Sequence, residues 1–121
     1  MTQAQYIQKL NQNKILTASP QEVITLLYDG AIKFCNIALI GFETNDFEKI
    51  NINIQKTERI IEELISSLNF DYPVSNDFLN IYKFIYQLLL DANIKKDKEK
   101  LERALVELRE IKDIWKQVIK K

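Results

Sequence analysis

A chain of 121 residues, 46% apolar and 28% charged, has enough material for one domain with a real core and a solvated surface. Seventeen basic residues balance seventeen acidic ones, so a formal net charge of zero gives no pull toward nucleic acid or an anionic membrane, and neither is expected as a partner. Two glycines and two prolines are too few for the turns of an all-β fold, and the absence of histidine removes the commonest general base and metal ligand.

Residues 1–18 read as a polar arm with scattered apolar residues (Tyr6, Ile7, Leu10, Ile15, Leu16) and without the apolar run of a signal peptide. The arm ends at Ser19-Pro20-Gln21-Glu22, a capping box with proline at the first helical position. From here the spacing predicts a first helix to about Phe42. One apolar stripe runs Ile24, Leu27, Ala31, Phe34, Ala38; a second, Tyr28, Ile32, Cys35, Leu39, Phe42, lies beside it. The face is wide enough to touch two neighbours. Gly30 sits mid-helix, where it costs about 1 kcal/mol against alanine, so packing tolerates it or something approaches the backbone closely there.

Glu43-Thr44-Asn45 breaks the chain, with Asn45 or Asp46 as the next cap. A second helix follows from Phe47, Ile50, Ile54, Thr57, Ile61, Leu64 and Leu68 at alternating steps of three and four. Ile50-Asn51-Ile52-Asn53-Ile54 alternates locally as a strand would, but the heptad continues on both sides, and helix is the reading kept. After Asn69–Pro73 a third helix fits Asn76 to Asn93, capped by Ser75, with Phe78, Ile81, Tyr82, Ile85, Leu88, Leu89 and Ala92 on one side. Asp97 caps a fourth, carrying Leu101, Ala104, Leu108, Ile111, Trp115 and Val118. Short connections imply antiparallel neighbours. The fold expected is all-α: an antiparallel up-down four-helix bundle over 19–121 with a short N-terminal arm or helix over 1–18. No apolar run reaches the roughly 20 residues of a membrane span, and a cytoplasmic location is expected.

Catalytic chemistry finds little to work with. A di-metal bundle and a phosphorelay bundle both need histidine. No glycine-rich loop cradles phosphate. Acid pairs such as Glu62-Glu63 read as a solvated face, and the single cysteine, Cys35, as a small buried hydrophobe. The chain is expected to be no enzyme and to need no cofactor or metal. What remains is spare apolar surface: two stripes on the first helix, Leu79, Phe84, Tyr86 and Leu90 outside the main stripe of the third, and the apolar residues of the arm. Such grooves suit an amphipathic helix from a partner, or the arm itself until a partner displaces it.

Thr17-Ala18-Ser19-Pro20-Gln21-Glu22-Val23 followed by Leu26-Leu27-Tyr28-Asp29-Gly30, then Leu68-Asn69-Phe70-Asp71-Tyr72, then Ile81 to Tyr86 with Leu88 to Asn93, and finally Leu108-Arg109 and Trp115 stand in order along nearly the whole chain. Together they resemble the flagellin-specific export chaperones, the FliS family. The resemblance implies a four-helix bundle that binds the disordered C-terminal segment of flagellin in the cytoplasm and hides its polymerisation surface until export. It also implies contact with the flagellar export gate and, in some members, an anti-sigma factor. Where family members often carry two arm tyrosines three apart, this chain has Ile7 and Leu10, so apolar occupancy of a groove carries over and hydroxyl bonding does not. The flagellin-binding residues expected are Ile7 and Leu10 of the arm, Leu27, Tyr28 and Ile32 of the first helix, and Asn93, which matches the motif ending the third. A monomer or weak dimer is expected. The competing readings are a chaperone for another filament component, such as the cap protein, and a structural bundle that self-associates through its spare apolar face.

Overall fold

The protein is described by a computed structural model covering residues 20–119. Four helices run in chain order: α1 (Pro20–Glu43), α2 (Phe47–Ser66), α3 (Val74–Lys95) and α4 (Lys98–Ile119), with no strand among the described residues. The predicted start at Pro20 holds; Ser19, the other half of the capping box, lies outside the described residues, as does the arm.

Two of the three connections use the same device. Asn45 (φ 54°) and Lys96 (φ 51°) take the left-handed conformation that ends a helix. The next amide then reaches back five residues: Asp46 N donates to Gly41 O at 2.9 Å and Asp97 N to Ala92 O at 3.0 Å. Each of those aspartates at once caps the following helix. Asp46 accepts from Lys49 N at 3.0 Å, and Asp97 from Glu99 N at 3.1 Å and Lys100 N at 3.3 Å. Stop and start signals thus share adjacent residues, and helices this close in sequence can only fold back on each other.

The connection between α2 and α3 differs from expectation. Ser75 does not cap α3, which begins one residue earlier behind Pro73. It is buried, and its hydroxyl donates to Asn69 O at 2.6 Å, while Asp71 N donates to Asn69 Oδ1 at 3.0 Å. Proline supplies the helical φ without needing a cap, and the serine is free to pin the loop. Asn93 does not end α3 either; the helix continues to Lys95.

Side-chain pairs fix the directions. Gly41 lies against Ile50 and Gly30 against Ile60, Asn51 bonds Asn93 and Glu62 bonds Tyr86, and Asp29 pairs with Lys112 where Thr25 meets Trp115. In each case one number rises as the other falls, so α1/α2, α2/α3 and α1/α4 are antiparallel. Each helix packs on its two neighbours around a square, with α1 closing on α4. The architecture is the expected up-down bundle.

The core takes Tyr28, Ala31, Cys35 and Ala38 from α1, Ile50, Ile54, Ile61 and Leu64 from α2, Ile85, Leu89 and Ala92 from α3, and Leu101, Ala104, Leu108 and Ile111 from α4. Asn53 and Ile60, outside the predicted stripe of α2, are buried as well. Gly30 and Gly41 explain this: without side chains there, α2 approaches α1 closely enough to cover a second row. Phe47, placed in that stripe by its spacing, is instead 59% exposed, because it stands at the first turn beyond the end of the core. Cys35 is buried as expected; its thiol lies 3.7 Å from Leu101 O, and burial pushes its pKa up to about 12.

One expectation needs correcting. Gln21–Glu43 is, by length and composition alone, long and apolar enough to cross a membrane. Two adjacent apolar stripes raise the mean hydropathy of the whole helix. In the bundle the inner part of that surface is covered by α2 and α4, as a core helix requires.

Candidate functional site

Four aromatic rings from three helices meet near one end of the bundle. Tyr28 of α1 lies 6.4 Å from both Tyr82 of α3 and Trp115 of α4, and Phe78 of α3 lies 6.1 Å from Tyr82 and 6.2 Å from Trp115, centroid to centroid. The rings are tilted or edge-on, the arrangement their quadrupoles favour. The Tyr28 and Tyr82 hydroxyls are hydrogen-bonded across the diagonal of the square, joining two helices whose backbones do not touch. Trp115 Nε1 donates to Thr25 Oγ1 at 3.3 Å. Burial raises the pKa of both tyrosines, Tyr82 to about 12.

This pair makes a clean test. Tyr28→Phe or Tyr82→Phe alone leaves a buried hydroxyl without its partner and is expected to cost about 1–3 kcal/mol. The double substitution removes both groups and should cost less than the sum of the singles. Urea titrations of the four proteins give the coupling; strict additivity would mean that the bond contributes nothing.

Beside the rings opens a cleft of roughly 390 Å³. Ile24, Leu68, Phe78, Tyr82, Trp115 and Val118 contribute to its apolar lining, while Ser67, Asn69 and Ser75 supply polar groups from the region connecting α2 and α3. The Asn69-centred loop borders the cleft, with Tyr72 in its lining, while Phe70 and Tyr72 are both more than half exposed. Gln21 and Ile24, from the start of α1, belong to the lining.

The expected site residues do not all converge here. Leu27 (6% exposed) and Tyr28 (0%) are core; Tyr28 backs the aromatic wall and is covered by it. Ile32 is half-buried and continues the stripe of Thr25 and Asp29, which meet Trp115 and Lys112, so it lies on the α1/α4 seam leading away from the cleft. Asn93 is near the opposite end of the bundle. Its amide donates to Asn51 Oδ1 at 2.8 Å and its oxygen accepts from Lys96 Nζ at 2.5 Å, a bridge from α2 to the left-handed turn. Ile7 and Leu10 lie outside the described residues. Leu68, Tyr72, Phe78, Tyr82 and Trp115 were the residues missed. The signal was available, since all but Phe78 sit in the motifs quoted above; periodicity had assigned Phe78, Tyr82 and Trp115 to core.

The α2/α3 seam holds a partly buried carboxyl group, that of Glu58. Glu58 Oε2 is buried without a hydrogen-bond partner among the described residues. Burial first, and then the Glu62 carboxylate, raise the Glu58 pKa, while Arg59 opposes. Glu62 itself accepts from Tyr86 Oη at 3.0 Å. A raised carboxylate binds its proton more tightly in the folded than in the unfolded chain, so from neutral pH downward through the folded pKa stability should rise. Glu58→Gln is expected to stabilise the protein at pH 7 and to remove that rise; equal melting temperatures of the two proteins at pH 7 would contradict it.

The sequence profile of the family described as flagellar protein FliS matches residues 1–121. Flagellar secretion chaperone FliS of Bacillus subtilis (strain 168) is 36% identical over 108 residues, which cover 89% of this chain and 81% of that protein. The protein of the same name from Escherichia coli (strain K12) is 28% identical over 119 residues, 96% and 87% of the two chains. That of Campylobacter jejuni subsp. jejuni is 26% identical over 110 residues, 89% and 86%.

Proposed function

The chain belongs to the flagellar protein FliS family, whose curated relatives are flagellar secretion chaperones, and we propose that it is a cytoplasmic export chaperone that binds the disordered C-terminal segment of flagellin. The bound segment would be kept from premature polymerisation and remain competent for export. The observation that carries this reading is the open, aromatic-walled apolar cleft at the end of a bundle whose own core is already complete. A preformed apolar groove suits a segment that folds as it binds: the ordering cost holds affinity down per unit area, so the complex can be released at the export gate.

In this reading Ile32 and the cleft wall contact the client, Leu27 and Tyr28 support that wall from behind, and Ile7 and Leu10 of the arm are further flagellin-binding residues. Asn93 contributes by holding the α2/α3 seam at the far end, where a segment long enough to run the length of the bundle would pass. The export gate and an anti-sigma factor are further partners in this proposal.

Co-purification with full-length flagellin, and its loss when the C-terminal segment of flagellin is removed, is the expected result. Equal recovery of both flagellins would refute the assignment of the segment. Ile32→Asp on a folded protein should weaken binding of a flagellin C-terminal peptide about tenfold or more, as loss of a buried apolar anchor does; unchanged affinity would remove the α1/α4 seam from the site.

A further inference from the structure

The α1/α2 seam carries a separate apolar stripe, none of whose residues lines the cleft. On α1, Leu26, Lys33, Ile37 and Ile40 recur at seven, four and three residues and so share one face. Leu26 and Ile40 are 36% and 48% exposed, and on α2, running antiparallel, Ile52 is 40% exposed near the level of Ile40. Into the middle of this surface come two ammonium groups. Lys33 Nζ lies 5.7 Å and Lys56 Nζ 5.2 Å from the centre of the same ring, that of Phe34. One comes from each helix, and the close approach at Gly30 brings them together.

Neither lysine is in an ion pair among the described residues. The helical neighbours of Lys56 at three and four residues are Ile52, Asn53, Arg59 and Ile60, none of them acidic; Asp29, one turn before Lys33, is engaged by Lys112. In a chain with no net charge, this is a local excess of positive charge set in an apolar stripe. Holding two like charges over one ring costs repulsion that an incoming carboxylate would relieve, with the ring limiting competing hydration.

We propose that the α1/α2 seam is a second docking surface, and that its occupant is an acidic amphipathic helix of a partner protein. Its apolar side packs on Leu26, Ile37, Ile40 and Ile52, and its carboxylates engage Lys33 and Lys56. A second copy of this chain is a poor occupant, since a two-fold contact on this face sets lysines against lysines. Nucleic acid would use the two lysines and gain nothing from the four aliphatic side chains.

The test is methyl NMR titration of the full chain with a designed 18-residue amphipathic helix bearing glutamates on its polar face, alongside its glutamine and lysine analogues. Shifts confined to Leu26, Ile37, Ile40 and Ile52 are expected with the glutamate peptide, with affinity falling by about tenfold or more in Lys33→Glu/Lys56→Glu, whose lysines are exposed or half-exposed and whose fold should persist. The lysine peptide should bind more weakly than the glutamine one. Shifts centred on the cleft, equal affinity of all three peptides, or dimerisation of the chain through this face would overturn the proposal. So would a single-stranded oligonucleotide that shifts these same methyls. None of these outcomes depends on whether flagellin is the client.

Discussion

Gly41→Ala is expected to lower the stability of the bundle by about 2 kcal/mol, and to drop its melting temperature by roughly 10 °C. A Cβ at this position would stand 2.8 Å from Ile50 Cγ1 and 3.2 Å from both Asp46 O and Ile50 N. Two of those three atoms are backbone, and Gly41 O is also the acceptor that closes the turn into α2. The methyl group therefore cannot be admitted by a rotamer change; α2 itself must shift, and the reversed turn and the Asp46 cap with it. Gly30→Ala is the control. Its Cβ would meet only Ile60 Cδ1, at 3.2 Å, the far end of a side chain that can turn. Against that small overlap stands about 1 kcal/mol of helix propensity regained, so the protein should stay within about 1 kcal/mol of the parent. Thermal denaturation of the two variants decides the matter. If both behave alike, close approach of the helices at Gly41 is not what sets the α1/α2 packing.

Trp115→Ala is the second large effect, at about 3 kcal/mol. The ring touches Tyr28 and Phe78, its indole nitrogen bonds Thr25 across the α1/α4 seam, and it forms part of the cleft wall. Its removal merges the cleft with the space behind, so packing and shape are lost together. Trp115→Phe keeps most of the wall and should recover most of the stability. On the proposed function, the alanine protein, titrated where it is still folded, should bind the flagellin C-terminal peptide at least about tenfold more weakly, and the phenylalanine protein close to normally. Trp115 is the single tryptophan, so its fluorescence in the parent reports cleft occupancy directly. A peptide that binds without altering it would place the client elsewhere on the bundle.

The cleft was only half legible in the sequence. Leu68-Asn69-Phe70-Asp71-Tyr72 and Trp115 stood out as motif residues, yet no local pattern says that the loop after α2 and the last turns of α4 border the same opening. Tyr28 illustrates the converse. It lies in a motif and on an apolar stripe, which made it a contact candidate, but its side chain is fully buried with its hydroxyl held by Tyr82, fifty-four residues on. Periodicity assigns a face to a residue, and depth within that face depends on the neighbour.

Local chemistry decided the helices. Proline at 20, aspartate at 46 and 97, and the 3-4 spacing of apolar residues fix four segments, because caps and periodicity act over at most a turn or two of chain. Short connections then compel antiparallel neighbours, and with them the bundle. The tertiary structure alone decided how close α1 and α2 come, which buried Asn53 and Ile60 beyond the predicted stripe, and which aromatic side chains meet across the square. Both depend on the shape of a partner helix that the sequence around each residue does not contain. The same limit applies to Lys33 and Lys56: apart in sequence and unremarkable there, they converge on one ring only because two glycines let their helices touch.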